Sequence, residues 1–436
     1  MSHAELLARH RAVLPSWVAL YYDEPIALVD GQGCRVVDAE GRRYLDFFGG
    51  ILTTMVGYNL PEVVQAVREQ AGRMVHTSTL YLIEPMIELA ERIAALSGIP
   101  GAKVFFTTSG TEANEAALLF ATTARRSNQV LALRNSYHGR SYAAMGITGN
   151  RGWSASSLTP VNVSYVHGGY RYRSPFRDLS DAGYIRACAD DLRDVIATTT
   201  AGDVACMIAE PIQGVGGFAT PPDGLFGAMK EILDEHGILL VSDEVQTGWG
   251  RTGEHFWGMQ AHGVTPDAMT FAKGLGNGLA IGGVVARGEL VDAVTANSIS
   301  TFGGNPLATR AALATLDYLL SHDLQANALK MGSRLRQGLE AVAERHPMVG
   351  EVRGKGLMIG IELVEPGSTE PSPAAAALAL EEARRGGLLI GKGGLHGNVL
   401  RVAPPLSVGE AEIDEGLEIL TTAVAAADAA RKEVRA

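Results

Sequence analysis

Cysteine is scarce in this sequence, and its pattern argues against two classes of protein. The chain holds three cysteines, Cys34, Cys188 and Cys206, an odd number with no C-x-x-C spacing. A disulfide framework needs paired cysteines, and a thiolate zinc site needs closely spaced ones. The sequence therefore argues against a disulfide-stapled secreted domain, and we expect a reducing compartment, the cytoplasm.

Basic residues are fewer than acidic ones. Lys and Arg number 37 against 48 Asp and Glu, so the formal net charge is -11. A nucleic-acid partner would require a basic face, and no basic cluster interrupts the acidic background. We therefore expect no nucleic-acid partner.

Long apolar runs and metal-ligand spacings are absent as well. No stretch of 18 apolar residues occurs in the sequence, so we expect no membrane span. The segment Met1–Pro15 contains Glu5, Arg9 and Arg11 and lacks the apolar core of a secretory signal. The 11 histidines form no H-E-x-x-H or comparable pattern, so we predict no metal site.

Glycine and hydrophobic residues are both abundant in the sequence. Hydrophobic residues make up 46% of the chain and charged residues 19%, which is typical of a globular protein. A length of 436 residues allows two or three domains. The 52 glycines cluster at 213–217, 248–253, 274–283 and 391–397. This clustering indicates backbone that lies close to a ligand rather than flexible linkers.

Strand-like and helix-like segments alternate over residues 104–273, and this alternation predicts a mainly parallel α/β sheet. Within that region, residues 150–180 are expected to form an irregular surface loop. Residues 16–50 instead have the pattern of a small antiparallel meander, and the region after Pro306 has that of a looser α+β lobe.

These patterns predict an α/β protein with two domains. The large domain is expected to span residues 61–310. A smaller α+β domain is expected to combine both ends of the chain, residues 1–60 and 311–436, because the C-terminal lobe would pack with the N-terminal meander.

The segment 238–273 carries the residues with the clearest chemistry. Two short apolar runs end at Asp243 and just before Lys273, and such runs are typical of buried parallel strands. Ligands of doubly wound sheets bind outside the carboxyl ends of strands, so both side chains should face one crevice. They could form a buried structural ion pair. Alternatively, Lys273 forms a Schiff base and Asp243 pairs with the protonated nitrogen of a pyridine cofactor.

A second candidate site lies between a predicted strand and a predicted helix. Ser109 and Glu112 have capping-box spacing, and Gly110 permits a tight turn at the start of the helix. The free N–H groups of a helix N-terminus can bind a phosphate, although a well-capped helix without a ligand fits the same residues. Tyr137 and His138 end a later strand, and we favour Tyr137 over His138 for contact with a planar ligand.

Six short motifs occur together in this chain: Ser109–Asn114, Asn135–Gly139, Glu210–Gly214, Asp243–Gly248, Ala272–Gly274 and Thr301–Pro306. In this order they resemble the class III (ω-type) aminotransferases, and the resemblance runs from Tyr22 to the last helix. That family consists of fold-type I enzymes that depend on pyridoxal 5'-phosphate (PLP). The resemblance therefore implies PLP as cofactor and a fold of that type.

By resemblance, five residues are expected to hold the PLP ring. Lys273 would form the Schiff base and carry a proton between the substrate carbon and the cofactor. Asp243 would pair with the ring nitrogen, and Gln246 would reach the phenolic oxygen. Val245 would pack against one face of the ring, and Tyr137 would stack on the other.

Further residues are expected near the phosphate. Gly110 and Thr111 would bind it through backbone N–H groups and a hydroxyl, and Thr301 would reach it from the neighbouring subunit. The resemblance thus implies a homodimer with shared active sites, which could pair into a tetramer. The expected cofactor-binding set is completed by Ser109, His138 and Glu210.

Substrate choice is expected to depend on Arg401, which resembles the family's arginine that grips a substrate carboxylate through a bidentate fork. Val215 stands where ornithine and 4-aminobutyrate aminotransferases carry a glutamate that masks this arginine. Leu52, the other expected substrate-binding residue, stands where amine-accepting relatives often carry a tryptophan. These features favour alanine-like and short β-amino acids over ornithine and simple aryl amines.

Within the family, the resemblance is closest to the branch that contains the alanine–glyoxylate aminotransferases. It implies amino transfer between a small amino acid and a 2-oxo acid, glyoxylate or pyruvate. A phospholyase that acts on an amino-phosphate such as phosphoethanolamine is the alternative, and it would need an extra cation, from Arg140 or Arg171. A non-catalytic protein on the same scaffold is disfavoured, because Lys273 and Asp243 are both retained. The supporting stretches are Val75–Thr79, His255–Gly258 and Gly397–Arg401.

Overall fold

The computed structural model describes residues 3–435, and their side chains as far as Arg431. Met1, Ser2 and Ala436, at the ends of the predicted segments 1–60 and 311–436, lie outside the described residues. The helices are α1 (His3–Val13), α2 (Gly49–Leu52), α3 (Pro61–Arg73), α4 (Glu84–Ser97), α5 (Gly110–Arg125), α6 (Tyr142–Gly146), α7 (Asp181–Thr199), α8 (Leu225–Glu235), α9 (Gly288–Val291), α10 (Pro306–Ser321), α11 (Leu324–Arg345), α12 (Pro373–Arg385) and α13 (Glu410–Arg435). Short 3-10 turns occupy Arg151–Trp153, Arg171–Arg173, Gly258–His262 and Lys273–Gly276.

The strands form three sheets. They are β1 (Leu28–Gln32), β2 (Arg35–Asp38), β3 (Arg43–Asp46), β4 (Ala102–Thr107), β5 (Gln129–Leu133), β6 (Asn162–Val166), β7 (Cys206–Ala209), β8 (Leu239–Asp243), β9 (Ala268–Phe271), β10 (Gly282–Arg287), β11 (Val349–Lys355), β12 (Met358–Leu363), β13 (Leu388–Leu389), β14 (Gly391–Gly393) and β15 (Val399–Val402). The large sheet has the order β4-β10-β9-β8-β7-β5-β6.

The large sheet is mainly parallel, as the sequence pattern predicts. Strands β5 to β9 pair in parallel, and only β10 runs antiparallel, to β9 on one side and β4 on the other. Every residue of β7, β8 and β9 is buried, because helices cover both faces. The predicted α/β fold class is confirmed.

The expectation of an irregular loop over residues 150–180 is wrong in part. Strand β6 lies inside that range and forms the edge of the large sheet beside β5. Its first residue is exposed and its next three are half-buried, so it lacks the apolar run of the central strands. Both faces of this edge strand are only partly covered, with Val166 in one core cluster and Tyr165 against another. Its polar residues Asn162 and Ser164 interrupt the apolar run that would mark a buried strand in the sequence.

Two smaller sheets bring distant parts of the chain together. In the first, β3 pairs in parallel with β13, so Leu45 lies opposite Leu388. The second has the order β11-β12-β15-β14. The predicted strand-like segment 350–363 is in fact the hairpin of β11 and β12, which turns between Lys355 and Met358. The predicted domain boundaries at residues 60 and 310 stay a prediction.

The parallel sheet positions the candidate residues. Strands β5, β7, β8 and β9 run in the same direction, so their carboxyl ends meet at one edge of the sheet. β8 ends at Asp243, β9 ends two residues before Lys273, and β7 ends just before Glu210. Three residues that are far apart in sequence therefore meet at this edge.

Among the described residues, no helix is long and apolar enough to cross a membrane. Across the same residues, no group of three or more His, Cys, Asp or Glu side chains could hold a metal ion.

Candidate active site

A cavity of about 370 Å³ lies at the carboxyl edge of the large sheet. Most of the predicted cofactor-binding residues line it, and Thr301 does not. The predicted residues on its wall are Ser109, Gly110, Thr111, Tyr137, His138, Glu210, Asp243, Val245, Gln246 and Lys273. Neither Arg401 nor Leu52 lines this cavity.

One end of the cavity is the N-terminus of α5. The Ser109 hydroxyl accepts a hydrogen bond from Glu112 N at 3.2 Å. The Glu112 carboxylate reaches Thr108 N at 2.7 Å instead of Ser109 N, so the capping box is closed one residue earlier than its spacing suggests. A Cβ on Gly110 would lie 3.1 Å from Val245 Cγ1, so glycine lets the helix start beneath that side chain. The first N–H groups of α5 have no acceptor inside the helix and can receive an anion.

Asp243 is a buried carboxylate whose oxygens are already satisfied. Its Oδ2 accepts from Asn114 Nδ2 at 2.8 Å and lies 2.8 Å from His138 Nδ1. Its Oδ1 accepts from Val245 N at 3.1 Å. Asn114 is held in turn, because its Oδ1 accepts from the Thr270 hydroxyl at 2.7 Å. This set of donors stabilises a carboxylate anion that faces the cavity.

Glu210 is the second buried acid in the wall. Its Oε1 accepts from Tyr137 N and its Oε2 from Gly214 N, both at 2.8 Å. Burial raises the pKa of Glu210 to about 7, and the nearby charge of Asp243 adds to the rise, whereas His138 and the two N–H donors oppose it. Through its two hydrogen bonds, Glu210 links Tyr137, in the loop after β5, to Gly214, in the loop after β7.

Lys273 begins a tight turn with a left-handed φ of 43°. A positive φ in a residue other than glycine is uncommon and is concentrated at functional sites. Burial lowers the pKa of Lys273 below its ordinary value; Asp243 and Glu210 oppose this, and the charge of Arg401 adds to the lowering. A lowered pKa favours the neutral amine, which is the nucleophilic form.

Gln246 carries an unsatisfied polar atom beside the cavity. Its Oε1 is buried without a hydrogen-bond partner. A Cβ on Gly214 would lie 2.1 Å from Gln246 Nε2, so only glycine fits at that position. The unpartnered amide oxygen of Gln246 is free to meet a polar group of a ligand. Elsewhere on the cavity wall, the Tyr137 ring meets Trp153 edge-on, with ring centroids 5.5 Å apart.

Arg401 lies on β15 and is only 3% exposed. Its guanidinium carbon sits 4.9 Å from the Phe48 ring centroid and 5.6 Å from that of Phe218. Its Nη1 donates to the Gly214 carbonyl at 3.3 Å, and its buried Nε has no partner. Within the described residues, no salt bridge joins Arg401 to a carboxylate.

Two predicted residues lie apart from the cavity. Leu52 is 3% exposed and packs with Phe48 and Phe218, the two rings that flank Arg401. Thr301 is exposed and contributes nothing to the cavity of its own chain. Leu52 is thus near Arg401, whereas Thr301 belongs to an exposed segment.

Three residues with clear structural roles were given none by the sequence analysis. Asn114 had a detectable signal, because it is a polar residue among the buried alanines of α5. Phe48 and Phe218 had none, since nothing in the sequence indicates that they flank an arginine more than 180 residues away.

Comparison with known proteins gives a consistent result. The family described as Aminotransferase class-III matches residues 19–424. The Arabidopsis thaliana protein named alanine–glyoxylate aminotransferase 2 homolog 2, mitochondrial, is 39% identical over 94% of this chain and 85% of its own length. A PLP-bound amine transaminase from an uncultivated Pseudomonas species has a TM-score of 0.88 and 32% identity, covering 96% of this chain and 97% of that one. A phospholyase from Arthrobacter, in complex with phosphoethanolamine, has a TM-score of 0.87 and 35% identity, covering 96% and 99%.

The cavity has the chemistry that PLP requires. It offers a lysine with a lowered pKa and a satisfied carboxylate, Asp243, for a cationic ring nitrogen. It also offers a helix N-terminus for a phosphate and the orphaned Gln246 oxygen for a polar ring substituent. Fold, site chemistry and family match agree, and the chain belongs to the class III aminotransferases, PLP-dependent enzymes that transfer amino groups.

Proposed function

We propose that this enzyme transfers an amino group between a small amino acid, alanine or a short β-amino acid, and a 2-oxo acid, glyoxylate or pyruvate. The observation that carries the proposal is Arg401, a buried guanidinium that has no carboxylate partner among the described residues. Its charge acts on the pKa of Lys273, so it lies near the reacting amine. A buried cation without a counter-charge favours substrates that bring a carboxylate. The Arabidopsis relative, named for alanine and glyoxylate, supports the same substrates.

Val215 supports this proposal because it supplies no carboxylate to Arg401. It occupies the position of the masking glutamate in ornithine and 4-aminobutyrate aminotransferases, and it is a buried apolar residue. Aromatic rings rather than a carboxylate face the guanidinium, so its charge stays available. A substrate carboxylate would then meet Arg401 without first displacing an internal anion.

The residues around the cavity divide the work of holding PLP and moving protons. When bound, PLP supplies an electron sink for the substrate carbon. Asp243, which accepts from Asn114 Nδ2 and lies against His138 Nδ1, would hold the proton on the ring nitrogen. Lys273 would accept the proton of the substrate carbon at Nζ and release it again, because burial favours its neutral form.

The other walls would orient the cofactor. Val245 and Tyr137 would cover the two faces of the ring, and Gln246 would reach its phenolic oxygen. Gly110 and Thr111 would hold the phosphate at the start of α5. The supporting observation is that these residues line one cavity.

We propose that the active unit is a homodimer in which Thr301 reaches the phosphate of the partner subunit. Exposed apolar side chains support this: Leu82 is 93% exposed and Phe302 is 59% exposed. The Phe302 ring lies 4.8 Å from that of His76, so the segments 74–82 and 299–302 form one surface beside Thr301. Such a surface is typical of a subunit interface. Sedimentation of Leu82→Glu should show a monomer, and a stable wild-type monomer would contradict the proposal.

The cytoplasmic location stays a prediction. It rests on the sparse, unpaired cysteines of the sequence. The Arabidopsis relative is named as a mitochondrial protein, so the two observations point to different compartments. Cell fractionation with an antibody against the chain would decide between them.

A phospholyase is the second candidate, supported by the Arthrobacter structure and by Arg140. Arg140 donates its backbone N–H to Thr111 Oγ1 at 3.4 Å, and its charge opposes the burial-driven rise in the pKa of Tyr137. It therefore stands at the rim of the cavity. Arg171 is less suited, because it pairs with Asp181 and lines a different cavity.

A donor panel tests the proposal. Alanine, β-alanine, ornithine, an aryl amine and phosphoethanolamine would each be supplied with glyoxylate, and oxo product and phosphate would both be measured. We expect the highest kcat/KM with alanine or β-alanine. Release of phosphate from phosphoethanolamine as the fastest reaction, with its loss in Arg140→Ala, would instead establish the phospholyase.

A further inference from the structure

The loop of residues 214–217, here called the crossing loop, is held by four different parts of the chain. Its four consecutive carbonyl groups each accept a hydrogen bond from outside the loop. The donors, in order, are Arg401 Nη1 at 3.3 Å, Gly394 N at 3.0 Å, Asn135 Nδ2 at 3.1 Å and the Arg353 guanidinium. The crossing loop therefore joins the end of β5 to the small sheet that contains Arg353 and Arg401.

Arg353 makes the most extensive of these contacts. Its Nε and Nη2 both donate to the Gly217 carbonyl, at 3.1 and 2.8 Å. Its Nη1 pairs with Glu362 at 2.7 Å and with Glu351 at 2.6 Å. The Glu362 side chain is fully buried and also accepts from Asn398 Nδ2 at 3.0 Å. The guanidinium is thus fixed on one side by carboxylates while its other edge holds the loop.

The crossing loop contacts the active site at its first residue. Gly214 donates its N–H to Glu210 at 2.8 Å and accepts from Arg401 through its carbonyl. The loop has no room to shift on this side, since a Cβ on Gly214 would lie 2.1 Å from Gln246 Nε2. A displacement of Gly217 would therefore also move Gly214, three residues earlier, whose carbonyl accepts the hydrogen bond from Arg401.

We infer that Arg353 is a positioning residue for substrate binding, which acts through the crossing loop to orient Arg401 toward a substrate carboxylate. The inference rests on the proposed function, because it requires a substrate that carries a carboxylate. Arg353 itself is not inferred to contact substrate or cofactor. Its effect should therefore appear in the binding of carboxylates and not in the chemical step.

The test compares two substitutions at the same buried carboxylate. Arg353→Lys keeps a positive charge for Glu362 but cannot donate two hydrogen bonds to Gly217. Arg173→Lys is the matched control, since Arg173 Nε donates to Glu362 at 2.8 Å and makes no hydrogen bond to the crossing loop. The readouts on the PLP-loaded enzymes are the Kd of propionate by calorimetry, KM and kcat for alanine, KM for isopropylamine, and Tm.

In Arg353→Lys, we expect the propionate Kd and the alanine KM to rise about tenfold, with kcat and the isopropylamine KM changed less than about twofold. Arg173→Lys should lower Tm to a similar extent and leave the propionate Kd unchanged. If Arg353→Lys does not fold, Arg353→Met replaces it, because Glu362 then keeps its ion pair with Arg173.

Equal carboxylate binding in the Arg353 and Arg173 variants would overturn the inference while the proposed function stands. A wild-type enzyme that prefers isopropylamine to alanine and does not bind propionate would overturn both. A fall in kcat with unchanged KM would also contradict the inference, because it would place Arg353 in the chemical step.

Discussion

The two halves of the active site differ in the sign of their buried charge and in how that charge is satisfied. In the cofactor half, Asp243 and Glu210 are buried carboxylates whose oxygens already accept hydrogen bonds from the protein. In the substrate half, Arg401 is a buried cation with an unpartnered Nε and aromatic rings beside it. The satisfied Asp243 carboxylate is preorganised to hold a cationic ring, whereas an unsatisfied guanidinium is preorganised to receive an anion. The protein thus supplies acceptors for a cationic ring itself, and under the proposed function the counter-charge of Arg401 comes from the substrate.

The largest expected effect comes from removing the residue that lies between the two halves. Lys273→Ala should lower kcat by more than about 10³-fold, because one side chain supplies both the nucleophile and the proton relay. Its Tm should stay close to that of the wild type. Steady-state assays and thermal unfolding check the prediction, and multiple turnover at near wild-type rate would rule out the role given to Lys273.

In the cofactor half, Asp243→Asn should slow the amino-transfer half-reaction by on the order of 3 kcal/mol, about 100-fold. A neutral amide cannot stabilise a pyridinium charge, and it would place its NH₂ group against the donors that now surround Asp243. Asp267→Asn is the control, since Asp267 is a buried carboxylate at the opposite end of the sheet that accepts from Leu240 N at 2.8 Å. Stopped-flow absorbance checks both variants, and a mild effect at Asp243 would mean that another group pairs with the ring nitrogen.

The stability of the cofactor half should also depend on pH. The pKa of Glu210 is raised from 4.5 to about 7, so the folded apoenzyme holds a proton that the unfolded chain has lost. Stabilisation from this group is complete below pH 4.5 and is lost as the pH rises through 7. Urea unfolding of the apoenzyme between pH 5 and 8 should show this slope, and Glu210→Gln should remove it. An identical pH dependence in both proteins would contradict the assignment.

The smallest expected effect concerns the phosphate contact across the subunit interface. Thr301→Ala should weaken PLP binding by about 1–3 kcal/mol, the scale of a charge-assisted hydrogen bond. Ser298→Ala, on the same exposed segment, should leave PLP affinity unchanged. Equilibrium dialysis of PLP from both variants makes the comparison. A dilute monomer that keeps full PLP occupancy would disprove the cross-subunit contact.

The cofactor half could be predicted from sequence because its residues form short motifs at strand ends. Asp243 ends one fully buried strand and Glu210 follows another, and parallel strands bring such ends to one edge. The substrate half could be predicted only in part. The role of Arg401 is predicted by resemblance and stays a prediction, and its neighbours Phe48 and Phe218 come from distant segments with no local signal.

Strand β6, at the edge of the large sheet, was likewise difficult to predict from the sequence. Strand β6 was missed because this edge strand is only partly buried and its sequence contains polar residues. The central strands of the same sheet were predicted because burial on both sides demands continuous apolar runs.

The most direct test of the central claim is a comparison of alanine with isopropylamine as amino donors. The two molecules differ only in that a methyl group replaces the carboxylate, so their rate ratio isolates the contribution of that group. The half-reaction would be followed by the absorbance of the bound cofactor in wild-type enzyme and in Arg401→Ala. We expect the wild type to favour alanine by more than about 100-fold and Arg401→Ala to reduce that preference to less than about tenfold. A wild-type enzyme that reacts equally fast with both donors, or an unchanged ratio in Arg401→Ala, would contradict the account.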